Sequence, residues 1–298
     1  MSNAIELRGV CYSPSKKFEI RDLDLNVPRG SMYGFLGPNG SGKTTTMRLI
    51  MGMLRPAAGK IGVLGGQMPH DAPRLLAKIG YVPERLHLYP SLTIAEAMCY
   101  HAAFYPTYDE DWAGDLGQKF FLDPDQRLGS LSKGEMGKLM ILLALAQRPE
   151  LLVLDEPTDG LDPVVRREVL MAVLEYVSEQ SATVFISSHL IHELERICDW
   201  VGVMDRGRLV AELPMQSFKN GIKRLRVQNP PALIEDTPFV LIGREATDGA
   251  GEVWVVRGWQ PSMTQYFEGT DATLREVVDL DLEEGFVELL RTFREEIA

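Results

Sequence analysis

The chain has 298 residues, is 45% hydrophobic and carries a formal net charge of −11; this length suits a principal domain with a smaller appendage, and the acidity argues against free nucleic acid as a partner. Its three cysteines, Cys11, Cys99 and Cys198, are widely spaced and odd in number, which gives no sign of a disulfide framework or zinc site and fits a reducing compartment. No stretch approaches the roughly 18 uninterrupted apolar residues of a membrane span and no basic-then-apolar leader opens the sequence, so a soluble chain on the cytoplasmic side is expected, any membrane role coming through a partner.

In chain order, residues 4–30 and 59–65 read as short strands, with Pro28-Arg29-Gly30 and Ala57-Ala58-Gly59 as turn signals. Between them, Met32 to Leu36 is an apolar run suited to a buried strand, and Thr45 to Leu54 has the spacing of a packed helix. The segment that joins strand to helix is Gly37-Pro38-Asn39-Gly40-Ser41-Gly42-Lys43-Thr44-Thr45, which fits the phosphate-loop pattern at Gly37, Gly42, Lys43 and Thr44. Its glycines let backbone N–H groups close around phosphate oxygens, and the following helix dipole favours negative charge. Lys43 is expected to reach the β- and γ-phosphates, and the Thr44 hydroxyl to take a Mg²⁺ coordination position. The segment therefore predicts binding of a nucleoside triphosphate.

Residues 85–148 read as mostly helical, ending with Leu131-Ser132-Lys133-Gly134-Glu135 and a helix-like stretch from Met136 to Ala146. Next comes Leu151-Leu152-Val153-Leu154-Asp155-Glu156-Pro157, an apolar run closed by two carboxylates. Such a run predicts a buried strand of a parallel sheet, whose C-terminal end is where ligands sit. Asp155 is placed to hold Mg²⁺ through water, and Glu156 to polarise a water that attacks the γ-phosphate. Gly160-Leu161-Asp162-Pro163 follows, and His189 ends a further apolar strand, Ala182 to Ser188.

In this order and spacing the motifs over residues 4–214 resemble an ATP-binding cassette, the ATPase subunit of ABC transporters. The resemblance implies an α/β fold: a RecA-like P-loop core, an antiparallel β subdomain, and an inserted helical subdomain at about residues 85–148. It also implies a head-to-tail dimer of cassettes, homomeric or mixed, each ATP lying between one chain's phosphate loop and the other's Leu131–Glu135 signature. By that resemblance Tyr12 is the aromatic that stacks on adenine, although a core or surface tyrosine is the other reading. Ser132 and Gly134 would contact the γ-phosphate of the partner's ATP, Asp162 would lie in the loop that crosses the interface, and His189 would be the switch histidine that orients water and Glu156.

Two segments depart from the family pattern. Glu84, in Ile79-Gly80-Tyr81-Val82-Pro83-Glu84, stands where a glutamine is usual; it can still coordinate Mg²⁺ or a water but adds negative charge beside the triphosphate. The signature reads Leu-Ser-Lys-Gly-Glu where LSGGQ is commonest, with Ser132 and Gly134 kept. Arg85 to Ser91 lies where exporters of this type receive a short helix of the membrane subunit; Leu86, Leu88 and Tyr89 either make that contact or pack inside the subdomain.

Residues 215–298 hold 15 acidic against 9 basic residues, over half of the chain's negative excess. Phe239–Glu245 and Glu252–Arg257 read as two strands around Asp248-Gly249-Ala250-Gly251, a hairpin signal. Leu282, Phe286, Leu289, Leu290, Phe293 and Ile297 share one helical face opposite Glu283, Glu284, Arg291 and Glu295. A small α+β appendage closed by this helix is expected, the helix packing on its own strands or meeting another chain. Such extensions are familiar in drug- and ion-exporter cassettes. The reading for the whole chain is an ATP-hydrolysing subunit of an exporter, using ATP and Mg²⁺, peripheral on the inner face of the membrane through an integral-membrane permease. A soluble cassette acting as a cytosolic switch shares the same motifs.

Overall fold

The computed structural model describes residues 2–15, 18–85, 88–230, 237–247, 251–268 and 270–296. The chain divides into two compact units, Met1–Leu190 with Gly202–Leu209 and Ile191–Val201 with Val210–Ala298.

The first unit opens with the long strands β1 (Asn3–Ser15) and β2 (Phe18–Pro28). Along β2, Leu23, Leu25 and Val27 are buried while Asp22, Asp24 and Asn26 face solvent, the period of two that one buried sheet face imposes. With β4 (Ala58–Val63) and β5 (Gly66–Met68) they form an antiparallel sheet in the order β2-β1-β4-β5.

The second sheet carries the site. It contains β3 (Met32–Leu36), β6 (Ile79–Val82), β7 (Leu151–Asp155), β8 (Thr183–Ser188), β9 (Trp200–Asp205) and β10 (Arg208–Pro214), in the order β10-β9-β3-β8-β7-β6. Strands β3, β8, β7 and β6 run parallel. Every residue of β3, β7 and β8 is buried, which explains their unbroken apolar runs. In register, Leu36 pairs with Ser188 and Asp155 with Ser187, so three strand ends meet at one edge. Helix α1 (Lys43–Ile50) leaves that edge, and α2 (Ala72–Leu76) precedes β6.

Between β6 and β7 the described chain is mostly helical: α3 (Ile94–Ala102), α4 (Glu110–Lys119) and α5 (Lys133–Ala146). Each has a side-chain cap at its start, Thr93 with Glu96, Asp109, and Ser132 with Glu135. The Ser-x-x-Glu box starts α5 at Lys133, three residues before the apolar stretch that periodicity alone marks. After β7, Asp162 caps α6 (Pro163–Gln180) by accepting from the backbone N–H groups of Val164 (3.0 Å) and Val165 (3.1 Å).

The second unit contains α7 (Ile191–Leu194) and α8 (Met215–Gly221), then an antiparallel sheet of β11 (Ile222–Gln228), β12 (Val240–Ala246), β13 (Gly251–Arg257) and β14 (Thr273–Asp279) in the order β12-β13-β11-β14. The expected hairpin is β12 paired with β13, with Asp248, Gly249 and Ala250 outside the described residues. Strands β11 and β14 were not anticipated. The core gathers Leu225, Val227, Phe239, Trp254, Val256, Trp259 and Phe267. Trp254 is fully buried and its indole N–H donates to Glu252 Oε2 at 2.7 Å. A short helix α9 (Gln265–Glu268) supplies Phe267, and α10 (Leu282–Glu296) packs against β12, α7 and α8, burying Leu282, Leu289 and Leu290. The helix therefore covers its own unit, with Ile297 outside the described residues.

Removing the central ring of that core gives a direct test of it. Trp254→Ala is expected to destabilise the second unit by about 3–5 kcal/mol, as for other buried aromatic truncations. Urea unfolding followed by circular dichroism measures it; a loss below about 1 kcal/mol would show that the aromatic cluster does not hold this sheet.

Candidate functional site

The loop between β3 and α1 is shaped by what lies behind it. A Cβ at Gly37 would stand 2.3 Å from the carbonyl oxygen of Met204 on β9, so no side chain fits there. Gly42 has φ 118° and is the N-cap of α1, without any side-chain cap. The first N–H groups of α1 are thus left uncapped by side chains, the arrangement that receives anions at helix starts.

In front of the loop lies a cavity of about 420 Å³ whose wall includes Asn39, Gly40, Gly42, Lys43, Thr44 and Thr45. The cavity is also lined by Glu84, Glu156 and His189, together with Phe18 and Asp159. Lys43 is buried; its Nζ donates to the Gly37 carbonyl at 2.7 Å, lies 3.4 Å from that of Pro38, and pairs with Glu156 Oε1 at 3.2 Å. Glu156 Oε2 lies 2.9 Å from His189 Nδ1 and accepts the His189 backbone N–H at 3.3 Å. The Glu156 carboxylate therefore bridges the loop lysine and the histidine. Its backbone takes φ 49°, a left-handed conformation that costs a non-glycine residue about 1–2 kcal/mol.

Asp155 is fully buried one residue earlier. Its Oδ1 accepts from Ser187 Oγ at 2.8 Å and from Thr44 Oγ1 at 3.2 Å, while Oδ2 is buried with no hydrogen-bond partner. Burial pushes the Asp155 carboxyl above the usual carboxylate range, and the two hydroxyls oppose that shift. Asp155 does not itself line this cavity but bonds Thr44, which does, as does Glu84; an orphaned carboxylate oxygen, a threonine hydroxyl and a second carboxylate make an oxygen-only donor set of the kind that suits Mg²⁺. Among the described residues no cluster of three His, Cys, Asp or Glu side chains forms a self-sufficient metal cage. A cation here would draw further oxygens from a bound phosphate or water.

The expected residues fall into two groups. The phosphate loop, Glu84, Asp155, Glu156 and His189 come together, with Ser41 buried and its hydroxyl unpartnered. Ser132, Gly134 and Asp162 lie outside the cavity wall, gathered at the adjoining N-termini of α5 and α6, where a Cβ on Gly134 would be 3.3 Å from Val165. There Glu135 Oε2 accepts both the Ser132 hydroxyl (2.7 Å) and its backbone N–H (2.8 Å), which holds the Glu135 carboxyl below its ordinary range. Tyr12 is half-buried on β1 opposite Ile20 and is not part of the cavity wall; Phe18 is. Leu86 is outside the described residues, Leu88 is half-buried and Tyr89 is exposed.

Three residues of the site escaped sequence reasoning. Phe18 sits at the start of β2, and a Cβ on Gly42 would be 3.2 Å from its ring, a closeness that no linear pattern records. Asp159 lies between two motifs and pairs with Lys133 at 3.5 Å. Ser187 had a usable signal: a hydroxyl directly after the apolar Val184-Phe185-Ile186 in a strand that is buried throughout.

A family described as ABC transporter matches residues 20–159. The bacitracin transport ATP-binding protein BcrA of Bacillus licheniformis is 30% identical over 300 residues, covering 97% of this chain and 98% of that protein. The Nod factor export ATP-binding protein I of Rhizobium johnstonii is 34% identical over 214 residues, covering 70% of this chain and 68% of its own. Among solved structures, an ATP-binding subunit of an ABC transporter superposes with a TM-score of 0.66 at 27% identity, covering 72% of this chain and 92% of that one. Full-length similarity to one such protein, on a phosphate loop that faces two carboxylates and a histidine, places this chain in the ABC transporter family, as an ATP-binding subunit.

Proposed function

We propose that the chain binds ATP with Mg²⁺ in the cavity in front of the phosphate loop and hydrolyses it to drive an exporter. The observation that carries the hydrolytic reading is the bridge from Lys43 through Glu156 to His189. Glu156 occupies Lys43 at 3.2 Å in this structure. A triphosphate competes for the same ammonium, and once Lys43 turns to the phosphates the Glu156 carboxylate is released to polarise a water. His189 keeps its contact with Glu156 and orients that water. Thr44, Asp155 and Glu84 would hold Mg²⁺, which supplies charge neutralisation on the β- and γ-phosphates when bound. Phe18, on the cavity wall, is better placed than Tyr12 to stack on the base.

Two cassettes close head to tail, with Ser132, Gly134 and Asp162 of each facing the other's nucleotide. The gathering of these residues outside the chain's own cavity supports that reading. ATP shifts the equilibrium because it binds the closed pair better than the open one. The groove of about 700 Å³ lined by Met53, Tyr81, Pro83, Glu84 and Arg85 is where a helix of an integral-membrane permease docks, Glu84 belonging to both the groove and the nucleotide cavity. Export rather than a cytosolic switch is favoured by the transport and export relatives, and the chain acts at the inner face of the membrane through its permease. No helix of the described residues is long and apolar enough to cross a membrane.

Glu156→Gln is expected to bind ATP at least as well as wild type, because Lys43 loses its competing anion, and to run as a dimer with ATP in gel filtration. Its turnover should fall by about 100-fold or more, the scale for removing a positioned base; near-wild-type phosphate release would reject the assignment. Lys43→Ala should weaken ATP binding by at least about 10-fold in titration calorimetry, as for loss of a charge-assisted phosphate contact, and unchanged affinity would remove Lys43 from the phosphate site. To test the partner, tagged Glu156→Gln chain trapped with ATP is purified from its own cells in mild detergent. A stoichiometric multi-spanning membrane protein is expected; recovery of soluble partners alone would favour the cytosolic switch.

A further inference from the structure

We infer that Ser187 is the positioning residue of the catalytic edge, one hydroxyl that holds the Asp155 carboxylate and the backbone turn from which the Glu156 side chain leaves; this rests on the reading of Glu156 as the carboxylate that acts on water. Ser187 is fully buried on β8 and pairs in parallel register with Asp155. Its Oγ donates to Asp155 Oδ1 at 2.8 Å and accepts the Glu156 backbone N–H at 2.9 Å. A serine hydroxyl has one proton, and here it is committed to Asp155, so its lone pair is what remains for Glu156.

Both bonds have consequences for the chemistry. With Thr44 Oγ1 on the same Oδ1 at 3.2 Å, the hydroxyls fix which Asp155 oxygen is used up and leave Oδ2 without a partner. On the other side, the chain leaves the sheet at Glu156 in a left-handed turn, φ 49°. The Ser187 oxygen accepts the N–H at that turn, and the turn carries the Glu156 carboxylate to Lys43 at 3.2 Å and His189 at 2.9 Å. An apolar residue would fill the strand position equally well but would leave the Glu156 N–H buried and unpaired. The three preceding residues on β8, Val184, Phe185 and Ile186, are apolar and as deeply buried. A polar group at such a place is retained against its desolvation cost by the bonds it makes, and here both bonds go to the acidic pair.

The test uses the full chain. Ser187→Ala is expected to bind ATP within about threefold of wild type and to lose about 10–100-fold in turnover, the scale for a misplaced reacting group. Ser187→Cys, near-isosteric and a weak donor, should fold as wild type and fall between the two, while Ser187→Thr, which keeps the hydroxyl, should recover most of the rate. In the Glu156→Gln background Ser187→Ala should remove less than about a further twofold, because residues acting through one another are not additive. Wild-type-like turnover of Ser187→Cys and Ser187→Ala would overturn the inference while leaving the ATPase reading intact. So would a parallel loss of ATP binding and turnover that Ser187→Thr does not restore. Failure of the wild-type chain to hydrolyse ATP at all would overturn the ATPase reading and this inference with it.

Discussion

The site depends on burying charge at the end of an apolar sheet. Lys43, Asp155 and Glu156 stand where β3 and β7 run out, with at most 11% of the ionic pair's side chains exposed. Such groups persist only when each finds a partner, because an isolated buried charge is costly and breaking a buried pair leaves several kcal/mol of uncompensated penalty, about 3–5 by analogy with other proteins. Here the partners come from the first turn of α1 and the end of β8: Lys43 for Glu156, Thr44 and Ser187 for Asp155. Parallel pairing of β3, β8 and β7 is what sets these residues side by side. The sheet order is therefore the first requirement of the chemistry, ahead of any single side chain.

The same pairing explains how a ligand can be coupled to a change of state. The Lys43–Glu156 bridge leaves neither buried charge without a partner. Phosphate oxygens offer Lys43 more negative charge than one carboxylate does, and uncapped N–H groups of α1 add to their side of the exchange. On the function proposed above, the exchange would leave the Glu156 carboxylate beside His189, free to act on water. On that proposal, binding and activation are one rearrangement of buried partners.

Much of this was legible in the sequence because the phosphate loop and the Asp155-Glu156 pair are contiguous, and local backbone geometry dictates their residues. The unbroken apolar runs of β3, β7 and β8 marked a parallel sheet for the same reason: burial on both faces leaves no alternation. The second unit was less readable. Strand β11 interleaves Lys223, Arg224 and Arg226 with its apolar residues, and β14 carries Glu276 and Asp279. Each looks too charged for a strand alone, yet Lys223 pairs with Asp279 at 2.7 Å and Arg226 with Glu276 at 3.2 Å across the ladder, and Arg224 reaches Glu288 on α10 at 3.0 Å. Cross-strand charge pairing of this kind exists only once the register is formed. Phe18 was hidden for a related reason, since its closeness to Gly42 belongs to the packing of β2 against the loop and not to either segment.

The signature segment shows why a departure from a family pattern has to be weighed against local structure. Glu135 replaces the commoner glutamine, and at first sight it places a carboxylate where a partner's phosphate is expected. Its carboxylate, however, is turned back on the start of its own helix, accepting the Ser132 hydroxyl and N–H while Ser132 Oγ accepts the Glu135 N–H at 3.2 Å. In a capping box the third helical position needs an acceptor for the cap residue's N–H, and glutamate and glutamine both supply one. A negative charge in the first turn of α5 also lies at the favourable end of the helix dipole. Lys133 pairs with Asp159 at 3.5 Å. The glutamate is accounted for by how the segment folds, with Ser132 and Gly134 left in place at the start of the helix.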